Sequence, residues 1–320
     1  MIRPLYRWLK RTPVAWLQVS HNPVKLSIAL AGVSFSNLLM FFQLGLLDSV
    51  YNSQRKPIDH LRADLVMVSS GYSNLGALQT FERSRLFQAL GVNGVEAVSP
   101  LRIMRGSWIT PGSQKTFDIT VFGVNLARPS LAFPELEANP FQLQPLGNAL
   151  FDRNAKPQYG PIPEQLKTQN PVTVEVNRQR LRIIGTFPLG ATFAADANLI
   201  VSENTLQMLF PQQDPRRIQL GLIQLRPGAD VVAVQRALQP LMQQDVKVLT
   251  RDELSRLEVR YWERHSAVGF IFSLGVLVGF LVGSIIVYQI LFGDVMNSLP
   301  QYATLKAMGY TDSYVIAVVI

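Results

Sequence analysis

The sequence predicts a membrane protein in which α-helical spans carry an α+β extracytoplasmic domain. Three features lead there: two long apolar runs without charge, a long polar stretch between them, and a basic N-terminus. The second run, Ser266 to Gly293, contains no Asp, Glu, Lys or Arg. It exceeds the roughly 20 residues that a helix needs to cross the hydrocarbon core. Its Leu, Ile, Val and Phe side chains, at about −0.3 to −0.6 kcal/mol each on an insertion scale, outweigh Ser273, Ser284 and Gln289. The 48% hydrophobic content is concentrated in these runs, so it reflects spans and not a greasy soluble core.

Residues 1–25 hold Arg3, Arg7, Lys10, Arg11 and Lys25 with no acid, interleaved with Trp8, Leu9, Trp16, Leu17 and Val19. That mixture predicts a basic amphipathic helix on the cytoplasmic face, attracted to anionic membrane lipid. The block accounts for most of the +8 net charge, and aromatic–basic repeats of the single-strand-binding kind are missing, so nucleic acid is not an expected partner. A first span follows over 26–47. A signal peptide also pairs a basic start with an apolar core, but this run ends FFQLGLLDSVY, which lacks a small-residue cleavage site. The N-terminus is therefore read as cytoplasmic, and residues 48–265 as outside. Arg256, Arg260 and Arg264 at the outer end of the second span oppose this orientation, but large domains translocate largely regardless of charge.

Within 48–265 the pattern is that of one domain with another inserted. Strand-like Asp64–Ser69, Val95–Ser99 and Arg102–Ile109 surround helix-like Thr80–Leu90. Later, strand-like Leu220–Leu225 and Val246–Leu249 surround helix-like Ala229–Gln243, with Val231, Val234, Leu238 and Leu241 on one face. Two βαβ-type halves, 60–110 and 215–250, predict a split βαβ sandwich. The intervening 111–214 carries strand-like Phe117–Val124, Val172–Val176, Leu181–Phe187 and Leu199–Val201 joined by Pro-rich links, and reads as a mostly β insert. Residues 252–265 form an amphipathic stalk helix whose Tyr261 and Trp262 suit an interfacial aromatic belt. The remaining Asp and Glu of this region read mostly as solvated surface charge.

Residues 266–293 are the second span, 294–312 a cytoplasmic connector, and 313–320 the start of a third span. In the connector, Pro300 suits a first helical position, Lys306 the last turn, and Gly309 the stop. Tyr302, Leu305 and Met308 recur every three residues as one apolar stripe. Spacing alone is satisfied by a helix lying on lipid and by a peg in a partner's groove. Gly275, Gly279 and Gly283 share one face of the second span, a seam that admits close approach of a second copy or of another helix of the chain.

No enzyme is expected. The chain lacks a G-x-x-x-x-G-K-[ST] phosphate loop, a G-x-S-x-G elbow and an H-E-x-x-H metal motif, so ATP hydrolysis falls to another subunit. Its cysteine count of 0 removes disulfides, thiolate catalysis and thiolate metal sites. Neither a cofactor nor a metal is anticipated. Uncharged spans offer no proton relay for an ion-coupled carrier.

The order of elements, together with the connector LPQYATLKAMGYTDSYV, resembles the FtsX/MacB family of ABC-exporter membrane subunits, with the DevC type of heterocyst-envelope glycolipid export nearest. Leu305, Lys306, Ala307, Met308 and Gly309 match the core of the family's coupling motif, while Gln301 stands where an acid is usual. The resemblance implies a MacB-like porter subdomain and a multi-pass inner-membrane protein with a periplasmic domain. It also implies a separate ABC ATPase docked on Tyr302, Leu305, Lys306, Met308 and Gly309. A periplasmic adaptor, an outer-membrane duct, a homodimer and mechanotransmission through the stalk complete that expectation. The family has four spans, and residue 320 falls early in the third, so a working transporter is expected to need more chain. An FtsX-like regulator of a cell-wall hydrolase is the alternative.

Overall fold

The computed structural model describes residues 23–77, 79–112, 115–192, 195–242, 245–265 and 267–311. The expected basic helix therefore falls outside the described residues apart from 23–25, and so does the onset of a third span. The chain divides into two units, Met1–Asp48 with Ser266–Ile320, and Ser49–His265.

The first unit contains most of helix α1, Pro23–Asp59, and all of α8, Ala267–Ala307. Both are long and apolar enough to cross a membrane by length and composition. Their large side chains face outward: Phe41 is 72% and Phe270 70% exposed. Helix α1 continues beyond the expected span 26–47 to Asp59. One expectation is corrected here. The connector does not begin a new helix at Pro300, because α8 passes through it unbroken. An interior proline removes one i→i−4 bond and crowds the carbonyl one turn back, yet the helix continues on both sides of it, and Thr304 Oγ1 donates to the Pro300 carbonyl (2.9 Å). Gly309 does end the helix, with φ +94°. Its N–H bonds the Lys306 carbonyl and that of Tyr310 the Leu305 carbonyl, the paired closure that favours glycine at this position.

The second unit is built on a nine-stranded sheet. Strands β1 (Leu65–Ser69), β3 (Val95–Ile109), β10 (Leu220–Leu225) and β11 (Val246–Thr250) interleave as β11-β1-β10-β3 with every neighbour antiparallel. Helix α2 (Arg83–Gln88) joins β1 towards β3, and α6 (Val231–Leu238) joins β10 to β11. This is a split βαβ arrangement. All five residues of β1 are buried, because α2 and α6 cover one face and a second core covers the other. Gly221 in β10 permits that packing: a Cβ there would lie 2.9 Å from Leu86 of α2.

The remaining strands are β4 (Thr116–Val124), β5 (Asn148–Asp152), β6 (Val172–Val176), β7 (Gln179–Phe187) and β8 (Asn198–Ser202). They extend the same sheet as β3-β4-β8-β5-β7-β6, and β6 returns to β3 at Trp108↔Val176 and Ile109↔Glu175. The ring so formed encloses a core of Trp108, Ile119, Phe151, Leu181 and Leu199. Short helices α3 (Pro134–Ala138), α4 (Ile162–Thr168) and α5 (Glu203–Leu209) fill the connections, and a two-residue pair, β2 (Phe81–Glu82) with β9 (Arg217–Ile218), stands apart.

Three local readings change. The segments 95–99 and 102–109 are one strand, not two. It pairs with β10 up to Leu101 and with β4 from Leu101 onward, so Pro100 sits where the β4 side is still unpaired. Strand β5 was not anticipated. The helix expected over 229–243 is α-helical only to Leu238, because Pro240 tightens it into a 3-10 turn that buries Met242 and leaves Leu241 53% exposed.

The outer edge of β11 is closed by side chains. Gln239 donates to the Val246 carbonyl and accepts from the Val248 N–H (3.1 Å), while Gln235 donates to the Val248 carbonyl (3.0 Å). Glu253 accepts from the Thr250 N–H (2.8 Å) and from Gln235 (2.7 Å). These groups stand in for a neighbouring strand and cap an edge that would otherwise be open to pairing.

Candidate functional site

The residues singled out for coupling lie at the C-terminal end of α8. Tyr302 and Leu305 are half-buried, Lys306 is exposed, and Met308 is 62% exposed. Met296, Leu299 and Tyr310 add exposed apolar surface at 51%, 47% and 46%. The end of the helix thus carries more apolar surface than the three-residue stripe alone supplies, and the Gly309 closure fixes where it stops.

The glycine face of α8 lies against α1 within the first unit. A Cβ at Gly275 would collide with the Gln43 side chain, one at Gly279 would lie 2.9 Å from Met40 Cγ, and one at Gly283 would lie 2.7 Å from Ser36 Oγ. Ser36 Oγ donates to the Gly279 carbonyl (2.6 Å). Small residues permit this approach, and a hydroxyl–carbonyl bond then holds it.

In the second unit the stalk helix α7, Arg251–His265, buries Leu254, Ser255 and Glu258. Glu253 caps its first turn through the Thr250 N–H, and Ser255 Oγ accepts from Arg55 Nε (2.9 Å). Glu258 is 1% exposed. Its Oε2 accepts from the Tyr72 hydroxyl (3.0 Å) and the Leu75 N–H (2.9 Å), and its Oε1 from the Trp262 indole N–H (2.9 Å). Burial raises its pKa, and the three hydrogen bonds act in the opposite sense. The Tyr72 hydroxyl is pushed well up, first by burial and then by the Glu258 charge.

Sequence reasoning missed Glu258 by reading the acids of this region as mostly solvated. Asp152 corrects it too: fully buried, it accepts from the N–H groups of Asn154, Leu189 and Gly190 and from Asn198 Nδ2. Trp262, assigned to an interfacial belt, spends its indole N–H on Glu258, while Tyr261 stacks on His265 at 4.4 Å. One signal was available: Leu254 and Glu258 are four apart, which places the acid on the helix's apolar face. Among the described residues no group of three or more His, Cys, Asp or Glu could hold a metal ion.

Residues 26–241 match the family described as MacB-like periplasmic core domain. Among solved structures, the periplasmic region of MacB from Actinobacillus actinomycetemcomitans is similar at 14% identity, covering 62% of this chain and 94% of its own, with a TM-score of 0.41. The extracellular domain of the noncanonic ABC-type transporter YknZ from Gram-positive bacteria is similar at 12% identity, covering 58% of this chain and 99% of its own, with a TM-score of 0.40. No curated protein matches the chain.

Proposed function

The chain belongs to the MacB-like periplasmic core domain family, and from that membership we infer that it is the membrane subunit of an ABC exporter whose ATP is hydrolysed on another chain. The observation that carries this reading is the extent of the match, which starts at Leu26 in the first apolar helix, runs through the first porter-like half and the insert, and reaches Leu241 within the second half. Helices α1 and α8 cross the inner membrane, with the N-terminus in the cytoplasm and residues 48–265 in the periplasm. Their outward-facing Phe, Leu and Ile side chains suit hydrocarbon and would be a liability in water.

The ATPase docks on the end of α8, where Tyr302, Leu305 and Met308 present apolar surface, Lys306 supplies charge and Gly309 sets the end. Closure of the ATPase moves α8, and α7 carries the motion to the periplasmic domain, so cargo need not pass between the spans. The exporter works as a homodimer with a periplasmic adaptor and an outer-membrane duct. Its cargo is a glycolipid or another amphiphile of the DevC type.

Co-purification tests the reading. The full-length protein expressed beside its candidate ATPase should form a stable complex, and Leu305→Asp should abolish it while the circular dichroism of the chain stays unchanged. A charge in the middle of a docked apolar stripe loses several kcal/mol unless it finds a partner. A complex that survives Leu305→Asp removes the docking site from α8, and failure to bind any ATPase removes the exporter reading.

A further inference from the structure

The Glu258 cluster joins two parts of the second unit that are far apart in sequence. One is the stalk helix α7. The other is the loop after β1, where Tyr72 and Leu75 lie and where the buried Asn74 side chain accepts from the N–H groups of Gly76 and Ala77. The loop is therefore a formed structure with its own internal bonds, and Glu258 is what ties it to α7.

The chemistry of that tie is unusual for a purely structural contact. The carboxylate meets only neutral donors, and among the described residues no Lys or Arg pairs with it. Burying an ionised group without a countercharge is costly, and an apolar side chain of similar size would pack there more cheaply. What the carboxylate gains is direction. Two charge-assisted bonds from the loop, the Tyr72 hydroxyl and the Leu75 N–H, converge on Oε2, while the Trp262 indole one turn along α7 holds Oε1 and so the carboxylate's orientation; the two loop bonds fix the rotation and axial register of α7 against the loop. An apolar contact would let the helix slide or turn.

We propose that Glu258 is the positioning residue that makes the stalk helix and the porter-like fold move as one body, by locking α7 to the Tyr72–Leu75 loop. The proposal rests on the exporter reading, in which α7 delivers motion to the periplasmic domain. The other bonds of α7 do not replace this lock. Glu253 acts at its first turn, on the adjoining strand end and Gln235, Ser255 meets Arg55 of α1, and Arg251 reaches the Leu61 carbonyl; among the described residues Glu258 is the α7 side chain that hydrogen-bonds the loop leading out of β1. The loop in turn adjoins β1, which sits between β10 and β11 in the sheet. A displacement that reaches the loop therefore reaches the middle of the split βαβ fold.

The test is hydrogen exchange on the full-length protein in lipid nanodiscs, bound to the ATPase that co-purifies with it, with and without ATP. In the wild type, ATP should change exchange in both α7 and residues 70–77. In Glu258→Gln, the Leu75 amide should exchange about ten- to a hundredfold faster, the range for losing a bond to a charged acceptor. The ATP-dependent change should persist in α7 but vanish from residues 70–77. Tyr72→Phe removes one donor and keeps the ring, and should give the same pattern in weaker form should the Gln variant fold poorly. A merely structural role would lower protection equally with and without ATP, and that result overturns the proposal. So does an ATP response that still reaches residues 70–77 in Glu258→Gln. Absence of any ATP response in the wild type, or of any bound ATPase, overturns the exporter reading and the lock with it.

Discussion

The Tyr72–Glu258 bond offers a measurement of how strongly the stalk is held. The hydroxyl and the carboxylate are 3.0 Å apart, and the two residues are 8% and 1% exposed, so water screens little of their interaction. A hydrogen bond to a charged group contributes about 1.5–3 kcal/mol. Tyr72→Phe removes that bond alone, since Leu75 and Trp262 still serve the carboxylate. For a unit of this size, about 2–4 °C of melting temperature is lost per kcal/mol, so the variant should melt about 3–12 °C lower. Glu258→Gln should also destabilise, because an amide N–H₂ then confronts donors, although it relieves the burial of charge. The decisive quantity is the coupling. In a double-mutant cycle on the full-length protein, followed by near-ultraviolet circular dichroism, Tyr72→Phe should cost at least about 1.5 kcal/mol less in the Glu258→Gln background than alone. Additive losses would show that the hydroxyl and the carboxylate act independently, and the reasoning would fail.

Three further outcomes are expected. Burial raises the Glu258 pKa above the ordinary 4.5, so between those values the folded state binds the extra proton and the unfolded state does not. Its contribution to stability therefore rises as pH falls through the folded value, and the advantage of the wild type over Glu258→Gln in denaturant titrations should grow on acidification; a shrinking advantage refutes the sign. Gln235→Leu combined with Gln239→Leu uncovers the backbone of β11 at Val246 and Val248, so light scattering should report more self-association than in the wild type, and equal dispersity would acquit the edge. Gly279→Leu drives a side chain into Met40, where even a Cβ lies at 2.9 Å; it should lower disulfide yield between Ser36→Cys and Gly283→Cys, introduced into a chain with 0 native cysteines, and leave the dimer fraction alone. A lower dimer fraction with unchanged yield would instead place the seam between copies.

Much of the fold could be read from local pattern because its elements are locally consistent. Strands β6 and β10 occupy the residues that β-branched and aliphatic runs marked, and α7 begins one residue before its expected start. Where reading failed, a non-local cause intervened. Strand β5 has the sequence NALFD, whose polar ends resemble loop chemistry. Asp152 is tolerated in the sheet because it receives four donors, three of them from residues 189, 190 and 198, and the Asn148 amide N–H donates to the Gln142 carbonyl. Pro300 misled for the opposite reason. It is a strong local stop signal, but a long apolar helix has enough bonds on either side to absorb one missing donor.

Glu258 shows the limit most clearly. In DELSRLEVRYWERH it is one acid among four, with Arg256 and Arg260 two residues away; its i±3 and i±4 neighbours Ser255, Tyr261, Leu254 and Trp262 place it on the apolar face but do not say what meets it there. Its distinction is supplied by Tyr72 and Leu75, which lie 186 and 183 residues earlier in the chain. A charge pattern along one helix records which residues can pair locally. It holds no information about donors brought by another element, and those donors turn an ordinary acid into a fixed point. The end of α8 is the converse case, where Lys306 and Gly309 announce a helix end from within their own sequence. A helix end is legible locally, whereas a hydrogen bond between two distant elements of one fold is legible only once both are in place.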